Sequence, residues 1–191
     1  MGAMWHEVLA EMRPEFGQRK IDVTIGALPP CVADPILLRQ VIVNLLGNAV
    51  KYSRTRECSV IAVSAVVPSG GGGPTYVTMD NGIGFDMKHA GKLFEVFERL
   101  PNARNFEGTG VGLTTVHRIV QRHGERILAE STPDAGATFS FTLGDQPPLE
   151  ALSGSAPSFA VGPARRRPPL RGAAYLRARL TTFRTSIGLS P

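Results

Sequence analysis

The fold of this chain is decided by residues 106–113, which read Phe-Glu-Gly-Thr-Gly-Val-Gly-Leu. Glycines alternate at Gly108, Gly110 and Gly112, and apolar residues at helical spacing follow directly. Glycines before a helix let the backbone approach a ligand closely, and the free N–H groups and the helix dipole favour an anion. The segment therefore indicates a phosphate-binding turn, although such a pattern taken alone is more often a turn without a ligand.

A long helix predicted from Asp34 to about Lys51 carries a polar face beside a broad apolar stripe. Asp34 offers an N-cap, and Pro35 suits the first helical position. Asn44, Asn48 and Lys51 follow one another at spacings of four and three, so they project from one side. Asparagine is unfavourable inside a helix because its side chain competes for backbone hydrogen bonds. The three residues predict a polar site, with a solvated helix edge as the alternative.

A second glycine pattern follows a predicted β-hairpin. The β-branched segments 59–67 and 75–79 are separated by a glycine-rich connection, which predicts two paired strands. The second strand runs into Asp80, and Gly82 and Gly84 come next. A carboxylate at a strand end, beside bare backbone, can act as a fixed hydrogen-bond acceptor in a pocket. A capped turn explains the same residues equally well.

The remaining segments complete the order of elements. A short helix is expected over residues 3–16, a strand over 19–26, and two further strands over 126–130 and 138–143. Together with the glycine-led helix, this order predicts a two-layer α/β sandwich with a mixed, mainly antiparallel sheet.

The region before the glycine run contains two aromatic residues and a polar loop. Phe94 and Phe97 lie three apart on a predicted helical turn, which is typical of core residues. Residues 101–107 are short, polar and almost without apolar anchors, so they predict a mobile loop that becomes ordered on nucleotide.

Composition and charge exclude several classes of function. The 191 residues suffice for one domain, and the formal net charge is +5. Seven arginines and one acidic residue lie in 146–191, so the basic character belongs to this segment and does not indicate a nucleic-acid-binding domain. No apolar run approaches the ~20 residues of a membrane span, and the N-terminus lacks a signal pattern. Cys31 and Cys58 match no metal-ligand spacing, so a reduced compartment, the cytoplasm, is expected.

Four motifs together resemble the ATP-binding domain of sensor histidine kinases, in the class shared with gyrase, Hsp90 and MutL. In chain order they are Asn44-Leu-Leu-Gly-Asn48-Ala-Val-Lys51-Tyr52, Asp80-Asn-Gly82-Ile-Gly84-Phe85, Phe94-x-x-Phe97 and Gly108-Thr-Gly110-Val-Gly112-Leu113. The wording of 92–100 and 120–124 looks most like kinases of the bacterial phytochrome kind. This fold is expected to be the Bergerat-type ATP-binding fold.

The resemblance implies a role for each matching residue. Asn48 would hold Mg²⁺, and Asn44 would support the phosphate and metal site. Lys51 would meet the phosphates, so Asn44 and Lys51 are the expected catalytic residues. Tyr52 would stack near the adenine, and Asp80 would accept a hydrogen bond from its exocyclic amine. The other implied ATP-binding residues are Gly82, Gly84, Arg99, Gly108, Thr109, Gly110, Gly112 and Leu113.

Three further residues have roles that the resemblance implies less directly. Phe94 and Phe97 would anchor the base of a lid, and Arg104 is a candidate lid arginine beside Arg99.

In hydrolytic relatives the position that Asn44 resembles is a glutamate that activates water. Because an amide cannot take a proton, the acceptor expected here is a histidine side chain rather than water.

The implied activity is transfer of the ATP γ-phosphate to a histidine on a separate acceptor (dimerisation) domain, in a phosphorelay that leads to a response regulator. Residues 1–16 are interpreted as a helix linking from a missing acceptor hairpin, and 17–145 as the catalytic domain. Residues 146–191 are predicted to be a disordered basic tail that adds nothing to the fold. A non-catalytic nucleotide-binding adaptor and an anti-sigma-type serine kinase are the alternatives. The cytoplasmic part of a larger sensor is the expected setting.

Overall fold

The computed structural model describes residues 1–68, 73–103 and 105–143. Its helices and strands are α1 (Gly2–Met12), β1 (Lys20–Ile25), α2 (Pro35–Tyr52), β2 (Cys58–Val66), β3 (Thr75–Asp80), α3 (Gly112–Arg122), β4 (Ile127–Ser131) and β5 (Ala137–Thr142). Short 3₁₀ helices cover Arg13–Phe16, Met87–Phe94 and Pro101–Ala103. The predicted order of helices and strands is confirmed.

The five strands of the described residues form one mixed sheet in the order β1-β2-β3-β5-β4. β1 runs parallel to β2, whereas the other neighbours pair antiparallel. The register places Tyr76 opposite Phe141 and Thr78 opposite Phe139, so their side chains share one face. The core lies where apolar residues of α2 and α3 meet that face. The predicted two-layer sandwich is therefore confirmed.

The start of α2 is fixed by its cap. Asp34 Oδ1 accepts hydrogen bonds from the backbone N–H groups of Ile36 (2.8 Å) and Leu37 (3.1 Å), and Pro35 occupies the first turn. These bonds satisfy N–H groups that have no partner within the helix. The apolar stripe of α2 is buried in the core. The face that carries Asn44 and Asn48 is only partly buried.

The end of α3 is tied to the start of α2. The N–H groups of Gly124 and Glu125 bond to the carbonyls of Gln121 and Val120, and Gly124 has a φ of +75°, as in a Schellman cap. The adjacent His123 is buried. Its Nδ1 lies 2.8 Å from the carbonyl oxygen of Ile119, and its Nε2 accepts from the Asp34 N–H at 3.3 Å. This contact sets how the two helices lie against each other.

The N-terminal segment belongs to the same core. The helix predicted over 3–16 is α1 followed by a 3₁₀ turn, because Pro14 has no N–H to continue the α-helical hydrogen bonds. Trp5, Val8 and Leu9 of α1 are buried, and they belong to the same apolar cluster as residues of α2.

The prediction of a core aromatic pair is wrong for Phe97. The 3₁₀ helix ends at Phe94, Glu95 is extended, and Phe97 has a φ of 64° with 75% of its surface exposed. The two rings therefore do not share a helical turn. Phe94 instead stacks on His117 of α3, with 5.1 Å between the ring centroids.

Three predictions fall outside the described residues. They concern the predicted basic tail at 146–191, most of the glycine-rich connection at 69–72, and the candidate lid residue Arg104. Within the described ranges, the structure contains no helix with the length and apolar character needed to cross a bilayer.

Candidate nucleotide-binding site

A cavity of about 250 Å³ opens between the polar face of α2, the end of β3 and the glycine run. The predicted site residues that line it are Asn44, Asn48, Lys51, Tyr52, Asp80, Gly84, Arg99, Gly108, Thr109, Gly110, Gly112 and Leu113. The structure thus brings three separate sequence motifs to one cavity. Of the predicted set, only Gly82 is not part of the lining.

The glycine run lies directly over the polar face of α2. A Cβ atom at Gly112 would lie 2.7 Å from Asn44 Oδ1 and 4.0 Å from Asn48 Nδ2, and one at Gly108 would lie 3.2 Å from Lys51 Nζ. The asparagine amides and the lysine ammonium therefore face bare backbone. A Cβ atom at position 112 would therefore displace the Asn44 amide.

The start of α3 presents N–H groups without a side-chain cap. Its N-cap is Val111, which makes no side-chain capping bond. Gly108 and Gly110, immediately before it, have φ values of +132° and +76°, which glycine adopts without steric cost. A helix of 11 residues with uncapped N–H groups at the edge of a cavity is a suitable anion-binding feature.

Asp80 lines the same cavity from the end of β3. It is 5% exposed, and its Oδ1 accepts a hydrogen bond from the Gly82 N–H at 2.8 Å. Gly82 lies behind the cavity wall, where a Cβ atom would come within 2.7 Å of both Asp80 Oδ1 and the Tyr52 carbonyl oxygen. The absence of a side chain there lets the end of α2 approach Asp80 closely.

The loop over 101–107 contains apolar anchors, which the sequence-based expectation did not include. Ala103 and Phe106 are buried, and the Phe106 ring lies 5.2 Å from the Tyr52 ring. The guanidinium of Arg54 also lies 4.4 Å from the Phe106 ring centroid, and it donates to the Asn105 carbonyl at 2.6 Å. The aromatic residue just before the glycine run supplies an apolar anchor that the polar composition of the loop concealed.

Arg99 and Lys51, two of the predicted site residues, contact the loop and the neighbouring Tyr52 ring, respectively. Arg99 donates to the carbonyls of Ala103 (2.7 Å) and Phe106, so it holds the backbone of the loop. Lys51 Nζ lies 4.4 Å from the centroid of the Tyr52 ring. Tyr52 therefore contacts both a cation and the loop.

Sequence reasoning missed a further set of lining residues. They are Ile83, Phe85, Lys92, Leu93, Glu98, Leu100, Asn102, Ala103, Glu107, Ala137 and Phe139. Most are apolar residues whose burial gives no sequence signal of a site. Asn102 is different, because its Nδ2 donates to the Gly84 carbonyl at 2.7 Å and so links the loop to the glycine turn after β3.

The charges of the lining offset one another. Lysine and arginine side chains come from Lys51, Lys92 and Arg99, and carboxylates from Asp80, Glu98 and Glu107. The negative charge of a polyphosphate bound here would therefore not be neutralised by these side chains alone.

Residues 33–147 match the family of histidine kinase-, DNA gyrase B- and HSP90-like ATPases. The match covers more than half of the chain, and the chain belongs to this family. Its fold is that of the ATP-binding catalytic domain of histidine kinases.

Comparison with individual proteins shows which histidine kinases this chain is similar to. The chain is 36% identical over 143 residues to cyanobacterial phytochrome B of Nostoc sp. strain PCC 7120, covering 73% of this chain and 19% of the relative. It is 35% identical over 146 residues to the adaptive-response sensory kinase SasA of Trichormus variabilis, covering 75% and 36%. The predicted likeness to kinases of the phytochrome kind is confirmed. The chain spans 19% to 36% of the length of these two relatives.

Among solved structures, full-length ShkA in complex with AMPPNP superposes with a TM-score of 0.61 at 26% identity. The superposition covers 74% of this chain and 29% of ShkA. The fold derived above is therefore that of a histidine kinase catalytic domain.

Proposed function

We propose that this domain binds ATP with Mg²⁺ and transfers the γ-phosphoryl group to a histidine on a separate acceptor domain, from which it passes to a response regulator. The observation that carries the proposal is the apposition of the asparagine–lysine face of α2 and the uncapped glycine run at the start of α3. Asp80 lies across the same cavity, where it can select the base. The ATP analogue in the ShkA complex supports the same ligand class.

Different residues of the cavity would bind the base and the phosphates. Asp80 would accept a hydrogen bond from the exocyclic amine of adenine, and Lys51 with the N–H groups of the glycine run would bind phosphate oxygens. Phosphoryl transfer depends mainly on positioning and on neutralising charge, so such a set suffices. In this arrangement the base fixes the nucleotide, and the phosphates lie along α2.

The choice of acceptor follows from Asn44. Its Nδ2 donates to the Gln40 carbonyl at 2.8 Å, so its oxygen faces the glycine run. An amide oxygen cannot take a proton from water. A neutral imidazole needs no such base, which favours a histidine acceptor over hydrolysis.

The residues present fit a magnesium ion bound together with the nucleotide. The described residues contain no group of three or more His, Cys, Asp or Glu side chains that could hold a metal by themselves. Mg²⁺ is usually held by a small number of protein oxygens plus substrate phosphates, and Asn48, which lines the cavity, carries an amide oxygen that can serve as one of them. When bound, the ion would neutralise the phosphate charge that the balanced lining leaves uncompensated.

The setting we propose is the cytoplasm, where ATP is available and the thiols of Cys31 and Cys58 remain reduced. There the domain would form the catalytic part of a larger sensor.

Calorimetric titration with MgATP tests the binding half. We expect Asp80→Asn to weaken binding by about 1–3 kcal/mol, because a hydrogen bond to a buried carboxylate is lost. Asp22→Asn, on the exposed side of β1, is the matched control and should bind like the wild type. Equal affinity of the wild type and Asp80→Asn would remove Asp80 from the site.

Radiolabelled ATP tests the transfer half. With a purified histidine-containing acceptor hairpin added, we expect acid-labile label on the hairpin, and none when its histidine is replaced. Tight MgATP binding without label on any acceptor would favour a nucleotide-binding adaptor instead.

A further inference from the structure

The loop that follows Asp80 rests on the turn between β4 and β5. The Asp134 N–H bonds to the Ile83 carbonyl at 2.8 Å, and the Phe85 N–H bonds to Ser131 Oγ at 2.8 Å. At Gly136 any Cβ atom would overlap the carbonyl oxygen of Asp80. Two stretches of backbone are thus in direct contact, and the position of the turn sets the position of the loop.

One arginine joins these two stretches from outside the cavity. Arg56, between α2 and β2, donates from Nε to the Asn81 carbonyl at 2.8 Å. Its Nη2 donates to the carbonyls of Gly82 (2.9 Å) and Asp134 (2.6 Å). Its carboxylate neighbour is Asp134, at 3.9 Å. A planar guanidinium can bond to several carbonyls in fixed directions at once, which a lysine ammonium cannot do in the same geometry.

The other side of the same loop is fastened by Asn81. Its Oδ1 accepts from the Val60 N–H at 2.9 Å, and its Nδ2 donates to the Cys58 carbonyl at 3.0 Å. Asn81 therefore holds the loop to β2, and Arg56 holds it to the β4–β5 turn. Asp80 directly precedes these attachments, and its Oδ1 accepts from the Gly82 N–H, which belongs to the same peptide group as the Asn81 carbonyl that Arg56 binds.

We infer that Arg56 is a positioning residue for recognition of the nucleobase. It is not part of the cavity lining, so it acts on the ligand through the backbone of Asn81 and Gly82 and thereby through the Asp80 carboxylate. Adenine presents an amine donor where guanine presents a carbonyl acceptor. A carboxylate held in one place therefore favours adenine, and one that moves discriminates less. The inference rests on the proposed role of Asp80 in ATP binding.

The test compares ATP and GTP affinities of Arg56→Met, Arg56→Lys and Arg19→Met by calorimetry in the presence of Mg²⁺. Arg19 is the matched control, because it also donates to a backbone carbonyl and a hydroxyl, those of Val50 (3.0 Å) and Ser59 (2.8 Å). We expect Arg56→Met to lose about tenfold in ATP affinity and most of the preference for ATP over GTP. Arg56→Lys should be intermediate, and Arg19→Met should keep the wild-type preference.

The outcomes separate this inference from the proposed function. If the wild type binds ATP with a preference over GTP and both Arg56 variants keep that preference, Arg56 is merely structural and the inference is overturned, whatever happens to the melting temperature. If the wild type binds no ATP, the proposed function is overturned and the inference with it. Loss of preference in Arg56→Lys supports the inference even where Arg56→Met does not fold.

Discussion

At the scale of the residue, a single methyl group at the start of α3 tests how the site is built. A Cβ atom at position 112 would lie 2.7 Å from Asn44 Oδ1, too close for an undisturbed contact. We expect Gly112→Ala to displace the Asn44 amide from its position against the glycine run and to weaken MgATP binding by about tenfold. Calorimetric titration measures the effect directly.

The matched control is another glycine of the same neighbourhood. A Cβ atom at Gly47, within α2, would meet only Met12 Cε at 3.7 Å, an ordinary contact. Since alanine is favoured over glycine in a helix by about 1 kcal/mol, Gly47→Ala should raise the melting temperature and leave MgATP affinity unchanged. Wild-type affinity in Gly112→Ala would show that the close contact with Asn44 does not shape the site.

Single residues also show where sequence reasoning stops. Asn44, Asn48 and Asp80 could be selected because polar side chains at a helix face or a strand end carry a chemical signal. Gly82 was expected in the cavity but lies behind its wall, because its motif cannot tell an opening from a tight backbone contact. Arg56 gave no signal, since its partners are backbone carbonyls up to 78 residues away.

At the scale of the element, the loop before the glycine run is the part whose behaviour the structure redefines. Because the Phe106 ring contacts both Tyr52 and Arg54, the loop is anchored by one of its own side chains. We expect Phe106→Ala to speed amide hydrogen exchange over 101–107, and added MgATP to slow exchange there in the wild type.

Phe97→Ala is the control for this loop, because that ring is 75% exposed and should leave exchange over 101–107 unchanged. If Phe106→Ala exchanges at the wild-type rate, the anchor is not what orders the loop. If MgATP leaves the wild-type exchange rates as they were, the segment is not a lid.

Elements with strong periodicity were predictable and short 3₁₀ segments were not. The helix from Pro35 to Tyr52 follows from its cap and its apolar stripe, both local features. The turn around Phe97 depends on a backbone conformation with φ of 64°, which a bulky residue adopts only when the surrounding structure imposes it. No pattern within the segment itself predicts that outcome.

At the scale of the whole molecule, the last prediction is that this chain alone does not label itself with phosphate. Its histidines, His6, His89, His117 and His123, all lie within the described residues, and none lines the cavity. Transfer requires the acceptor nitrogen to reach the γ-phosphate in line, and proximity supplies much of the rate. His123 is also buried and bonded at both ring nitrogens, so it cannot serve as a nucleophile without leaving the core.

The histidine to test is His6, because it is exposed on α1. However, the neighbouring Trp5, Val8 and Leu9 hold α1 in the core, which keeps His6 on a fixed surface of the domain. Purified chain incubated with radiolabelled ATP should therefore stay unlabelled, while an added acceptor hairpin becomes labelled in the same tube. Acid-labile label on the chain that disappears in His6→Ala would contradict this and would make α1, rather than a separate domain, the site of phosphorylation.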